Sequence, residues 1–148
     1  MIQWTRNNSV AQTFCPVYVN IYDEMTATTY NPLIAITSQS TNKTKYVIPG
    51  LVDLTNKERY VKLAINISNN GTDSPTAGII SIGDSEFPYG FYDVVIYQNS
   101  SAVNLDPSGL TKIWNGLMNL TAASDAAPVT YSEYTTNDSD TESVYITF

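Results

Sequence analysis

The chain has 148 residues, with 7 Lys+Arg against 14 Asp+Glu, a formal net charge of −7, no His and one Cys. A domain of this length buries about 70% of the surface its unfolded chain exposes, so one core is expected without disulfides or metals, and two large domains are excluded. Lacking His and holding a single Cys, it cannot build the usual zinc, haem, Ser-His-Asp or Cys-His sites, and a pI near 4.2 argues against direct nucleic-acid binding and anionic membranes.

Charged residues make up 14% of the chain, while 18 Thr, 14 Ser, 14 Asn and 11 Tyr dominate the polar set. Thr and Tyr favour pleated, half-buried strands, and Asn, Ser and Gly favour the turns between them. The opening Met1–Arg6 lacks the basic start and apolar run of a secretory signal. No stretch reaches the length of about 18 apolar residues that a membrane helix needs. The seven Asn-x-Ser/Thr triplets are read as chance in so Asn-, Ser- and Thr-rich a chain.

Period-two alternation then recurs along the chain, and no long stretch repeats every 3.6 residues. Cys15, Val17, Val19 and Ile21 alternate with Pro16, Tyr18, Asn20 and Tyr22, an edge or first strand because of the proline. Cys15 is read as a space-filling thiol. Pro32 opens Leu33–Thr37, the polar turn Ser38–Lys43 follows, and Thr44–Ile48 closes at Pro49-Gly50. In Tyr60–Ser68 the residues Val61, Leu63, Ile65 and Ile67 share one face, and Asn69-Asn70-Gly71 signals a turn. Ile79–Ile82 reads as a short buried strand. Phe91–Gln98 follows Pro88-Tyr89-Gly90, and Asn99–Gly109 reads as a loop. Ile113–Leu120 fits either a short helix or a strand; Gly116 and two asparagines favour the strand. Val129–Thr135 and Ser143–Phe148 flank an acidic tip and read as a hairpin.

These elements predict an all-β, Ig-like or Greek-key β-sandwich over residues 1–122, with an acidic C-terminal hairpin or arm over 123–148 packed on the same domain. Residues 113–148 carry five acidic and no basic groups. Such an arm could dock on a basic neighbour or be a solvated final hairpin. The Gly-led turn into Phe91–Tyr97 marks Tyr92 as a tyrosine-corner residue, its hydroxyl tying the strand to an earlier loop. The other reading of that segment is an exposed aromatic docking patch.

Candidate chemistry is sparse. Asn137–Glu142 alternates oxygen side chains, as a calcium ion requires, but lacks EF-hand spacing. Asp84, Glu86 and Asp93 could supply a carboxylate pair for glycoside hydrolysis, although polar turns collect such residues anyway. The Tyr and Trp side chains could stack on sugar rings or fill the core. No catalytic, cofactor or metal site is expected, and the chain is not read as an enzyme.

Several segments share a wider pattern. They are the Ile2-Gln3-Trp4 start, Lys57-Glu58-Arg59-Tyr60 entering an alternating strand, Gly90-Phe91-Tyr92-Asp93 leading into Ile96–Ser101, and Leu105–Leu110. A Trp/Gly strand, Tyr131-x-x-Tyr134 and a closing Tyr145 complete it. The pattern resembles small virion structural proteins of tailed bacteriophages, particularly the crAss-like phages of Bacteroidota and their relatives, and spans nearly the whole chain. The resemblance implies a virion protein made in the bacterial cytoplasm, expected as an auxiliary capsid (head decoration) protein on the major capsid protein lattice. Neck, tail or head-fibre placement is the alternative, and a carbohydrate-binding β-sandwich module is the alternative of another class. Partners expected are the major capsid protein or other virion proteins, with self-association in the particle, and neither nucleic acid nor membrane. Trp4, Tyr131, Tyr134, Tyr145 and Phe148 are the candidate lattice contacts, or else they complete the sandwich.

Overall fold

A computed structural model describes residues 1–5, 13–21, 31–68 and 72–122. Nine strands lie among them: β1 (Ile2–Thr5), β2 (Thr13–Val19), β3 (Leu33–Ser38), β4 (Thr44–Val47), β5 (Leu51–Asp53), β6 (Val61–Ser68), β7 (Ile79–Ser81), β8 (Gly90–Tyr97) and β9 (Lys112–Thr121). They form two sheets packed face to face. The larger has the order β1-β9-β8-β3-β4; in the smaller, β6 is central, with β2 along one side and β5 and β7 sharing the other.

Alternation decides which side chains enter the core. In β6, Val61, Leu63, Ile65 and Ile67 are buried between the sheets and Lys62 and Asn66 are half-buried on the far side. Facing them from the larger sheet are Ile34 and Ile36 of β3, Tyr92, Val94 and Ile96 of β8, and Met118 and Leu120 of β9. Each fully buried aliphatic side chain of this kind contributes about 1.5–3 kcal/mol, so the shared phase of these strands is strongly enforced.

Two elements escape the sequence pattern. β1 is too short for alternation to be visible, and it joins the sheet by parallel pairing with β9, Ile2 opposite Met118. β5 has three residues, none buried, and depends on pairing with β6, Leu51 opposite Ala64. The ambiguous Ile113–Leu120 stretch is strand, paired antiparallel with β8 from Gly90↔Leu120 to Tyr97↔Lys112, with a bulge at Ile96/Tyr97. Its Gly116 lies beneath the Trp114 indole, where an added Cβ would sit 2.8 Å from Cζ2. The expected hairpin over 123–148 falls outside the described residues.

Side chains of the larger sheet latch the sandwich at both edges. At the β1 edge, Trp4 Nε1 donates to the Pro16 carbonyl of β2 at 3.4 Å. At the β4 edge, Lys45 points inward: its Nζ donates to the Ser81 carbonyl of β7 at 2.7 Å, pairs with Asp73 at 2.8 Å, and lies 4.7 Å from the Phe87 ring centroid. Asp73 in turn accepts from the Ser81 N–H at 2.6 Å. Two turns interlock beside this edge. The Ile48 N–H donates to the Pro75 carbonyl at 2.9 Å, and Gly78, closing a 3₁₀ turn over Pro75–Ala77 at φ 76°, lies against Gly50.

Tyr92 is fully buried at the start of β8, and its hydroxyl donates to the Pro88 carbonyl four residues earlier. The tie expected of this residue is present. The loop it anchors is further held by Asp84, whose Oδ1 accepts from the N–H groups of Glu86 at 2.9 Å and Phe87 at 2.7 Å.

Gly78→Ala must adopt a left-handed φ and place a Cβ 2.7 Å from Gly50 Cα, whereas Gly109, also at positive φ (78°), faces open space. Gly109→Ala should cost about 1 kcal/mol and Gly78→Ala at least twice that, read as the difference in urea midpoints at constant m. Tyr92→Phe should cost about 1 kcal/mol by orphaning the Pro88 carbonyl. Burial, aided by the nearby Asp84 carboxylate, pushes the Tyr92 hydroxyl pKa well above its ordinary value. The unfolded chain therefore loses this proton first. The stabilisation is complete below about pH 10 and falls as pH rises beyond it. Urea midpoints between about pH 8 and 11 should fall less steeply for Tyr92→Phe than for the wild type.

Candidate docking surface

The alternation that sends Tyr92, Val94 and Ile96 inward sends Phe91, Asp93, Val95 and Tyr97 to the outer face of the larger sheet. Register fixes their neighbours. Asn119 stands beside Phe91; Leu117 and Thr37 flank Asp93; Asn115 and Ala35 flank Val95; Lys112 and Leu33 flank Tyr97. Tyr46 of β4 extends the Val95–Ala35 row. Phe91 is 52% exposed and Leu117 43%. They are diagonal neighbours across β8 and β9, about 7–8 Å apart at Cα, close enough to form one continuous patch. Leu33 and Ala35 are buried yet stand outside the inter-sheet cluster, so their part of the outer face is already withdrawn from solvent within the chain, and the open apolar patch is that of Phe91 and Leu117.

The patch is framed by polar pairs, two of them uncharged. Thr37 and Thr44 share a hydroxyl–hydroxyl bond of 2.9 Å, Asn119 donates to Gln3 at 3.3 Å, and Gln39 donates to the Asp93 carboxylate at 3.1 Å. Asp93 and Lys112 are the charged residues that the described strands present on this face; Lys45, the third on these strands, is turned inward. Such a surface is cheap to desolvate around Phe91 and Leu117, where the side chains are apolar and Thr37, Thr44, Gln3 and Asn119 nearby already have partners.

A second aromatic feature lies on the smaller sheet. The rings of Tyr18 and Tyr60 meet edge to face at 5.2 Å between centroids, with Tyr18 54% exposed. Asn56 Nδ2 donates to the Tyr60 hydroxyl at 3.1 Å. Lys62 stands between Tyr18 and Asp53 in the same row of the sheet. The Thr55 hydroxyl and N–H hold the Asp53 carboxyl below the usual carboxylate range.

The residues singled out from sequence are distributed differently. Trp4, expected as a lattice contact, is 3% exposed and packs in the inter-sheet cluster. Parallel pairing of β1 with β9 turns its ring inward, so it completes the sandwich and presents no docking area. Tyr131, Tyr134, Tyr145 and Phe148 lie outside the described residues, as does the oxygen-rich Asn137–Glu142 tip. The three carboxylates weighed for hydrolysis are held in separate structural roles. Asp84 holds its own loop, Glu86 pairs with Lys43 across to the β3–β4 turn, and Asp93 accepts from Gln39. Among the described residues no three Cys, Asp or Glu side chains gather as metal ligands, and no helix is long and apolar enough to cross a membrane.

The segment Tyr89–Tyr97, which reads either as a corner or as an exposed aromatic patch, holds both the corner tie and exposed rings. Tyr92 is the buried tie, and Tyr89 and Phe91, which both precede it, are exposed. Leu117 escapes a reading of the sequence because the helix-or-strand ambiguity of its segment hides its face; once β9 is a strand, its position opposite Asp93 follows. No protein-family model, curated protein or solved structure matches this chain.

Proposed function

We propose that this chain is a structural protein of a bacteriophage particle, an auxiliary capsid protein that adheres to the major capsid lattice through the outer face of its larger sheet. The observation that carries this reading is the low-charge apolar face around Phe91 and Leu117, on a molecule whose net charge is −7. Docking through such a face draws on area burial and needs no catalytic group. A stable contact buries about 800 Å² per partner, and many weaker contacts in a repeating shell reinforce one another through avidity. Neck, tail or fibre placement would use the same physics at lower copy number.

We also read the sandwich as Ig-like. The order β2-β6-β5 facing β4-β3-β8-β9 corresponds to strands B-E-D facing C′-C-F-G in that architecture. Tyr92 stands two residues before Val94, the position where antibody domains carry the second Cys of their inter-sheet disulfide. Here the core is closed by aliphatic packing and by the two edge latches.

The Tyr18–Tyr60 pair supports a second reading, a module that binds host glycans. A half-exposed aromatic ring beside Asn, Lys and Asp side chains is the kind of platform on which a sugar ring stacks.

Two experiments separate these readings. In the first, purified particles should hold this chain in hundreds of copies on the shell. Phe91→Glu should abolish incorporation while leaving the unfolding free energy of the isolated chain within about 0.5 kcal/mol of wild type. Full incorporation of Phe91→Glu overturns the docking role of this face, and about a dozen copies would move the protein to neck or tail. In the second, the chain is applied to a broad glycan array. Signal lost in Tyr18→Ala supports glycan recognition, and silence across the array overturns it.

A further inference from the structure

We infer that the outer face of the smaller sheet binds a carboxylate-bearing sugar, a uronate or sialate residue of a glycan, with the Tyr18 ring beneath the sugar and the Arg59 guanidinium on its carboxylate. The inference rests on the glycan reading of the Tyr18–Tyr60 pair and names the class of glycan.

The platform follows from strand parity. Tyr60 immediately precedes β6 and shares the outward side with Lys62, while Val61 and Leu63 point into the core. Tyr18 is registered opposite Lys62, which puts Tyr60 on the diagonal from it and accounts for the edge-to-face contact of the two rings. The Asn56 amide holds the Tyr60 hydroxyl, so Tyr18 rests against a ring that is itself fixed, and its own surface stays largely open. An aromatic ring already held in place loses little freedom when a sugar ring stacks on it.

The class of sugar follows from charge. Residues 53–62 hold Lys57, Arg59 and Lys62 against Asp53 and Glu58, a net charge of +1, whereas the rest of the chain carries −8. The other cations serve elsewhere: Lys43 and Lys45 are paired with Glu86 and Asp73, Lys112 stands on the larger sheet, and Arg6 lies outside the described residues. Of the two carboxylates, Asp53 is engaged by the Thr55 N–H and hydroxyl, with Lys62 beside it in the same row.

Arg59 is exposed and adjoins Tyr60, about 3.8 Å away at Cα. Backbone bonds fix the turn that carries it. The Lys57 N–H donates to the Leu54 carbonyl at 3.1 Å, and the Arg59 and Tyr60 N–H groups donate to the Asn56 carbonyl at 2.8 and 2.9 Å. A planar guanidinium can meet a carboxylate with two parallel hydrogen bonds, a pairing that the hydroxymethyl group of a neutral sugar cannot make. At physiological ionic strength the Debye length is about 8 Å, so the charges around the platform govern such a ligand more than the net −7 of the chain. This face also lies on the opposite side of the sandwich from the one proposed for capsid docking, so a chain seated on a shell leaves it open.

The test applies the full chain to a glycan array that sets glucuronate-, galacturonate- and sialate-terminated glycans beside their neutral counterparts. The strongest carboxylated binder is then titrated as the free acid and as its methyl ester. The expected result is binding confined to the carboxylated glycans, weakened about tenfold or more by esterification or by Arg59→Gln. Arg59→Gln should leave the affinity for the ester unchanged, and its unfolding midpoint should stay near wild type. Neutral glycans bound as tightly as carboxylated ones, or a preference for the free acid that survives Arg59→Gln, overturns the inference and leaves the glycan reading in place. Equal loss of acid and ester binding in Arg59→Gln overturns it too, because a residue that meets the carboxylate has nothing to lose with the ester. Silence across the whole array overturns both the inference and the glycan reading.

Discussion

The hydroxyl of Tyr92 reaches the Pro88 carbonyl only while β8 presents Tyr92, Val94 and Ile96 to the core, because a slip of one residue would turn all three to solvent. That phase controls both sides of the molecule. Inward, it meets Ile34 and Ile36 of β3 and Met118 and Leu120 of β9. Outward, it spaces Phe91, Asp93, Val95 and Tyr97 along the face proposed for docking. The corner hydrogen bond is modest in energy, but it acts at the entry of the strand whose register every other outer-face residue inherits. Core packing and surface presentation are thus one constraint seen from two sides.

Sheets packed by aliphatic side chains alone could slide, since the hydrophobic term is non-directional. Direction is supplied at the two edges. Trp4 bonds the β2 backbone on one side, and Lys45 bonds the β7 backbone on the other. In each case a side chain of the larger sheet reaches a carbonyl of the smaller one, fixing distance and angle together. Lys45 adds Asp73 and the face of Phe87, so its charge is compensated where its side chain is mostly withdrawn from water. Both latches belong to the edge strands of the larger sheet, β1 and β4.

The long strands are legible in the sequence because alternation over six or more residues matches the two-residue period of a strand and conflicts with the 3.6-residue period of a helix. Leu33–Thr37, Tyr60–Ser68 and Phe91–Gln98 fall within a residue or two of β3, β6 and β8. What is not legible depends on partners rather than local pattern. β5 is a strand because Ala64 and Leu63 of β6 are beside it. Trp4 reads as a contact because a terminal aromatic shows no partner in sequence; parallel pairing with β9, more than 110 residues away, buries it. The outer face is half visible: Phe91 lies within an identifiable strand, but Leu117 becomes its neighbour only through the register of β8 and β9.

Placement of charge separates the margins of the sandwich from the outer face of its larger sheet. The loop carboxylates are engaged in structure: Asp84 and Asp106 accept backbone N–H groups of their own turns, Asp53 caps Thr55, and Asp73 serves the β4 latch. Their charges therefore gather on the connections at the ends and margins of the sandwich, while the strands of the larger sheet's outer face keep one acid and one base. Water is displaced more cheaply from the Phe91–Leu117 patch than from these margins, because a carboxylate loses more hydration on burial than an apolar side chain does. If that face docks as proposed, the difference disfavours contact through the charged margins before any close contact forms.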